Sequence, residues 1–275
     1  RSHFYDINLS QLFFIVRRLK EMEKNSGNQS LIRGLRLIEI LSRFPNGCPL
    51  VQLANISELN KSTVHRLLQG LQQEGFVQPA ITVGSYRLTS KCLSIGHKIF
   101  SSLNIINIIS PHLDNLNLDL GETINFSMRE NDHAIMIYKL EPTTGMMRTR
   151  AYIGQHLQLY CSAMGKLYLA YDRPAYLKEY WQTNNDNIQT LTCNTITELP
   201  VMEKELDEIK KQGFAVDKEE NDIGISCIAC PIFNFQNKVE YAMSVSISTS
   251  KLNQYGIEHL LEKIKLTAEA ISLEL

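Results

Sequence analysis

In the first third of the chain, apolar residues recur at a helical period. Leu31, Leu35, Ile38 and Leu41 predict an amphipathic helix, with Arg33, Arg36 and Arg43 outside its stripe. Phe44-Pro45-Asn46-Gly47 stops it. A short second helix follows Pro49, with Leu50, Leu53 and Ala54 on its apolar side, and a turn through Ser57 and Glu58 leads into residues 59–77, LNKSTVHRLLQGLQQEGFV. There Asn60 is an N-cap and Gly75 a stop, while Val64, Leu67, Leu68 and Leu71 keep the spacing of one buried helical face. After Gly75 the period becomes two. Phe76-Val77 and Tyr86-Arg87-Leu88 predict strands around a tight turn at Thr82-Val83-Gly84-Ser85. Short helix, tight turn, polar-faced helix and hairpin together predict a winged helix-turn-helix.

The remainder alternates. A helix over 93–104 is expected to connect two domains, and Ser110-Pro111 to separate it from a helix carrying Leu113, Leu116 and Leu120 that ends at Gly121. Strands are predicted at 123–129 and 134–140, paired around Glu130-Asn131-Asp132-His133, and another at 147–152. Helices over 163–171 and 199–212, strands at 214–217, 226–233 and 239–248, and a closing helix over 257–273 complete the pattern. Strands in antiparallel pairs with helices at the flanks predict an α+β domain. The expected division is a lead-in over 1–28, a DNA-binding domain over 29–90, a linker helix over 91–104 and a second domain over 105–275.

Charge sharpens this division. Residues 29–104 carry eight Lys/Arg against three Asp/Glu, a net of +5, whereas residues 105–275 carry fifteen against twenty-three, a net of −8. A basic front and an acidic back fit a nucleic-acid-binding domain carried on a regulatory one. Six scattered cysteines in 275 residues are no disulfide framework and fit a reducing cytoplasm. No run reaches the ~18 apolar residues of a membrane span. Residues 9–19 are apolar, but no small-residue cleavage site follows them, and Met22 begins an ordinary segment. Residues 1–21 are therefore expected to be vector-derived or a misplaced start.

Several constellations carry candidate chemistry. Lys61, Ser62, Thr63, His65, Arg66 and Gln69 form the polar, cationic side of the 59–77 helix, and Arg87 follows on the hairpin. A solvated surface helix shows the same pattern. The hairpin directly behind it points instead to groove contacts, with Lys61 and Arg87 on phosphates. Cys227-Ile228-Ala229-Cys230 matches CxxC, but residues three apart in a strand face opposite ways, so buried strand cysteines are expected rather than a metal site. Asp217-Lys218-Glu219-Glu220 reads either as a carboxylate pair or as a solvated loop after a strand. Ser162-Ala163-Met164-Gly165-Lys166 lacks the glycines of a P-loop or nucleophile elbow. Met146-Met147 after Gly145 is core filler or the flexible lid of a small pocket. Ser244 and Ser246, two apart in a strand, share a face.

Taken together, NKSTVHRLLQGLQQEGFV followed by YRLT, GETINF at 121–126, GMMRTRAYIGQ at 145–155, SAMGK at 162–166, VDKEENDIGISCIACPIF at 216–233 and SVSIS at 244–248 resemble the IclR family of bacterial transcriptional regulators. The resemblance runs from about residue 29 to the C-terminus. It implies a winged helix, a linker helix and a GAF-like α+β domain with an antiparallel sheet that binds a small organic or sugar acid. It also implies a homodimer or tetramer on double-stranded DNA with a palindromic operator, no cofactor and no catalytic residue. Matched position by position to the family's pocket, Leu157, Ala163, Met164, Asp217, Cys227, Ser244 and Ser246 are expected to line the effector site, with Met146 at its lid. Ala163-Met164 replaces smaller residues, and Gln158 stands where many members carry proline, so pocket volume and ligand are expected to differ. The rival class is a thiol-dependent enzyme of GAF-like fold, with Cys227 as nucleophile or redox thiol and Asp217 as base. A winged helix with a basic surplus has no use in such an enzyme, and no histidine lies near Cys227 in sequence. A dimerising scaffold without ligand is the third possibility, and thermal shift against sugar acids separates it.

Overall fold

A computed structural model of the protein describes residues 28–101, 104–144 and 149–275. The chain divides into two compact units between residues 102 and 103.

In the first unit, helix α1 (Gln29–Ser42) is capped by the Asn28 side chain. A two-residue strand β1 (Cys48–Pro49), helix α2 (Leu50–Ser57) and helix α3 (Lys61–Gln73) follow. The wing is β2 (Val77–Pro79) and β3 (Ser85–Leu88), antiparallel, with β1 on the outer side of β3. Helix α4 (Ser90–Ser101) closes the unit. Leu37, Ile40, Leu41, Leu53, Val64, Leu68 and Val77 form one core, each fully buried Leu or Ile contributing roughly 1.5–3 kcal/mol.

The α1 stripe differs from expectation. Leu31 and Leu35 are 58% and 53% exposed, whereas Gly34, Arg36, Leu37, Ile40 and Leu41 are buried. Apolar residues occupy two faces of this helix, so spacing alone does not choose between them. The inward face is the one that carries Leu37, Ile40 and Leu41 into the core shared with Leu53, Val64 and Leu68. Arg36, expected outside, is enclosed with Nε and Nη2 lacking partners.

In the second unit, helix α5 (Ile105–Leu120) ends at Gly121 in the left-handed conformation. It starts six residues before Pro111 and continues through it, so Ser110-Pro111 does not break it. Pro111 and Asn107 both lie on the exposed side, where water can satisfy the Asn107 carbonyl that loses its helical donor. Strands β4 (Thr123–Glu130) and β5 (His133–Leu140) pair as expected. Residues 149–152 are not strand; the next strand is β6 (His156–Gln158), which pairs with the start of β5. Residues 145–148, including Met146, lie outside the described residues.

Helices α6 (Ala163–Ala170), α7 (Tyr176–Thr183) and α8 (Leu199–Gln212) precede β7 (Ala215–Lys218), β8 (Ile225–Phe233) and β9 (Val239–Ser248). Helices α9 (Thr249–Tyr255) and α10 (Glu258–Ser272) end the chain. The pattern had not predicted α7 or α9. The six strands form one antiparallel sheet in the order β6-β5-β4-β9-β8-β7.

Strict alternation gives the sheet two unlike faces. Ile124, Phe126, Ile228, Cys230, Ile232, Met243, Val245 and Ile247 pack with α5 and α10. The other face shows mostly small residues, among them Ala134, Ala215, Cys227, Ala229 and Ala242, which pack in the layer of α6. Cys227 and Cys230 therefore belong to different cores, and all six cysteines are free. Among the described residues no helix is long and apolar enough to cross a membrane.

Candidate functional site

Two places concentrate polar chemistry, one in each unit. On α3, Asn60 Oδ1 accepts from the Thr63 N–H at 2.8 Å and from the Ser62 hydroxyl at 2.9 Å. At the other end Lys91 Nζ donates to the Glu74 carbonyl at 2.5 Å and lies over the Phe76 ring, which puts a cation at the negative end of the helix. Val64 and Leu68 face inward, while Lys61, Ser62, His65, Arg66 and Gln69 are exposed and Thr63 is half-buried. Arg87 lies opposite Gln78 across the wing. With the Gln78 amide oxygen turned toward the guanidinium, it accepts from Nε and Nη2 at 3.1 Å each.

The wing tip is apolar. Ile81 and Val83 are 96% and 98% exposed. Ala80 N–H donates to the Ser85 carbonyl at 2.8 Å and Ser85 N–H to the Thr82 carbonyl at 3.0 Å; Leu50 N–H ties the tip to α2 by donating to the Gly84 carbonyl at 3.1 Å. A search for charge passes over these two residues. The signal available was a pair of β-branched residues flanking Thr82 in a turn.

In the second unit, the small-residue face of the sheet becomes polar at one end. Asp217, Cys227, Ser246 and Thr123 are successive cross-strand partners on β7, β8, β9 and β4. Ser244 lies in the next row beside Asn125. The Asn125 amide joins the rows, donating through Nδ2 to Ser244 Oγ at 3.2 Å and Ser246 Oγ at 2.9 Å, and Cys227 Sγ lies 3.2 Å from Ser246 Oγ. Thr123 Oγ1 and Asn125 Oδ1 are buried with no hydrogen-bond partner. Such orphaned groups are costly in a folded interior.

Sequence reasoning missed Thr123 and Asn125. Their signal was the run Thr123, Asn125, Ser127 alternating with Ile124, Phe126 and Met128.

Of the expected residues, Asp217, Cys227, Ser244 and Ser246 come together. Met164 lies further along, its Sδ 3.3 Å from Ser127 Oγ, and Ala163 is buried beside it at the start of α6. Leu157 packs in the same layer but on β6, at the opposite edge of the sheet from Asp217. Met146 falls outside the described residues. Residue 165 is glycine where the segment leading into α6 packs back on the helix: a Cβ there would sit 2.5 Å from Leu159 Cα. An open depression of about 540 Å³, lined in part by Arg129, Phe235 and Lys238, lies at the β8–β9 turn, the opposite end of those strands from the polar rows.

Burial sets the electrostatics. It raises Asp217 from 3.8 to about 7, against the lowering effect of its Oδ1 accepting from the Glu220 N–H at 2.7 Å. Burial, and then the charge of Asp217, push the Cys227 thiol up to about 12. A thiol held protonated at neutral pH is a poor nucleophile. Nearby, Lys166 is fully enclosed, and its Nζ donates to Glu220 Oε1 at 2.6 Å, Glu205 Oε1 at 2.8 Å and the Val216 carbonyl at 2.7 Å. This fixes the loop after Asp217 against α6.

Comparison with known proteins agrees with both units. Residues 97–273 match the family described as bacterial transcriptional regulator IclR C-terminal, and residues 30–80 match the IclR helix-turn-helix domain. The chain is 62% identical to an uncharacterized HTH-type transcriptional regulator of Haemophilus influenzae over 93% of this chain and 96% of that protein. It is 60% identical to the DNA-binding transcriptional repressor YiaJ of Escherichia coli over 93% of this chain and 91% of that protein. A crystal structure described as transcriptional regulator YaiJ matches with a TM-score of 0.63 at 61% identity, covering 63% of this chain and 96% of that one. These relatives are transcriptional regulators. The chain belongs to the IclR family of bacterial transcriptional regulators.

Proposed function

We propose that this protein is a repressor of a carbohydrate-acid operon, of the diketogulonate type, controlled by a polyol-like acid bound on the polar rows of the second unit. The likeness to the DNA-binding transcriptional repressor YiaJ supports the role of repressor. The observation that carries the effector site is the pair of buried, unpartnered atoms Thr123 Oγ1 and Asn125 Oδ1 beside two serine hydroxyls and a thiol. A ligand rich in hydroxyls supplies both the donor and the acceptor they lack. Asp217 accepts a ligand hydroxyl, or donates when protonated. Asp217→Ala and Ser246→Ala are expected to leave operator affinity intact in gel-shift titrations while weakening the response to sugar acids. Loss of operator binding and ligand response together, in folded variants, would place the pocket elsewhere.

On the DNA side, Ser62, Thr63, His65, Arg66 and Gln69 face the groove, and Lys61 and Arg87 meet phosphates. Arg66→Ala is expected to cost ~1–3 kcal/mol of operator affinity and to relax preference at one operator position. An unchanged titration would remove Arg66 from the reading set. One helix-turn-helix reads too few base pairs, so two copies act with recognition helices one or more turns of ~34 Å apart. Leu93, Ile95 and Ile99, exposed on α4, offer the apolar surface for pairing. A monomer in light scattering at micromolar concentration, with full operator affinity, would refute this.

A further inference from the structure

Lys139 is a charged residue for which the mechanism above has no use. It lies on β5 directly opposite Asn125 on β4, so the two side chains share the polar face of the sheet at a Cβ separation of ~5 Å. It faces the rows from the end opposite Asp217. Its side chain is 8% exposed, and its Nζ donates to Glu141 Oε1 at 2.7 Å and to the carbonyls of Thr149 and Ala151 at 3.2 and 2.9 Å. Thr149 Oγ1 is itself buried without a partner. The ammonium is thus enclosed, on a residue in register with Asn125, and bound on one side to a carboxylate that is half in water.

From this geometry we infer that Lys139 receives the carboxylate of the effector, displacing the Glu141 side chain, and so sets both the orientation and the length of the acid the protein recognises. This rests on the polar rows being the effector site. Glu141, 48% exposed, regains water when a ligand carboxylate takes its place, which offsets part of the pair it gives up with the enclosed Lys139. A buried charge-assisted bond to the ligand is the stronger of the two. The remaining donors of Lys139 hold residues 149–151, so carboxylate capture and the position of that segment are coupled through one nitrogen.

The arrangement also explains how an anion is accepted near Asp217. Four strand spacings of ~4.8 Å separate β5 from β7, roughly 19 Å between backbones. An extended six-carbon acid, with a hydrogen bond of ~2.8 Å at either end, covers most of that distance and leaves the rest to the two side chains. The carboxylate then lies at Lys139, a neighbouring hydroxyl donates to Asn125 Oδ1, further hydroxyls cross Ser244, Ser246 and Thr123, and the last hydroxyl meets Asp217. A two-carbon acid cannot touch both ends. The protein is therefore selective for long sugar acids over short keto acids.

The test is calorimetric titration of the full-length protein with a panel of six-carbon aldonates (gluconate, gulonate, galactonate), with operator affinity and melting temperature as folding controls. The wild type is expected to bind at least one aldonate. Lys139→Met should weaken that aldonate at least ~10-fold, and Lys139→Arg should keep it within ~3-fold. Glu141→Gln, which removes the competitor, should tighten it ~3-fold. A purely structural clamp on residues 149–151 would make Lys139→Met and Glu141→Gln fail together, and that result overturns the inference. So does aldonate affinity that is unchanged in Lys139→Met while Ser246→Ala weakens it, an outcome that leaves the effector site itself standing. No binding of any aldonate by the wild type overturns both.

Discussion

Lys166→Ala is expected to remove roughly 3–5 kcal/mol from the stability of the second unit, because it strips a buried carboxylate of its counter-charge. Glu220 is 5% exposed, its Oε1 accepts from Lys166 at 2.6 Å, and its Oε2 already lacks a partner. The alanine also opens a cavity at the contact between α6 and β7. Lys166→Met restores the volume but leaves Glu220 charged and alone, so most of the loss should persist. Adding Glu220→Gln to Lys166→Met removes the stranded charge, and the double variant should be more stable than either single change predicts by ~1–3 kcal/mol. Urea denaturation of the full chain, followed through the second unit's transition, measures all three. A loss below ~1 kcal/mol in Lys166→Ala would mean that water reaches Glu220.

The pH dependence of the second unit should carry the signature of Asp217. Its carboxyl titrates near 3.8 when unfolded and near 7 when folded, so between those values the native state binds the extra proton. Stability from this group is fully present below about pH 4 and is lost as pH rises through about 7, with a ceiling of ~4 kcal/mol. Asp217→Asn keeps an oxygen to accept the Glu220 N–H and never ionises. The variant should therefore melt higher than wild type at pH 8, and the gap should narrow toward pH 5. Parallel melting curves for the two proteins across that range would show that Asp217 is solvated in the folded state.

Much of this architecture was legible because two periods do not mimic each other. Residues 59–77 admit one helical face, and β8 and β9 admit one alternation, so α3, the wing and these two strands followed from spacing alone. On α1, seven apolar residues cover two faces, and only packing against α2 and α3 decides that Leu37 and Ile40 go inward. Pro111 misled because a proline stops a helix only where its missing N–H leaves a carbonyl without water. At the candidate site, Ser244, Ser246, Cys227 and Asp217 were expected from the family resemblance, position by position. Asn125, which bonds both serines, was hidden in a strand read for its Ile and Phe, and Lys139 emerges only once register places it opposite Asn125. Charge and spacing report what a residue is; register reports what it faces.

The unlike faces of the sheet have a consequence for how such a regulator can change over generations. One face is filled by interlocking Ile, Phe, Val and Met, where substitutions act on folding and are separated from the ligand by a layer of backbone. The other is a thin carpet of alanine and serine, where one added methyl group alters the room available to a small molecule without disturbing the far side. On the proposal that the effector lies on that carpet, inheritance can retune the signal at positions around it, such as Lys139 on β5 and Ala163 and Met164 on α6, while the scaffold stays intact.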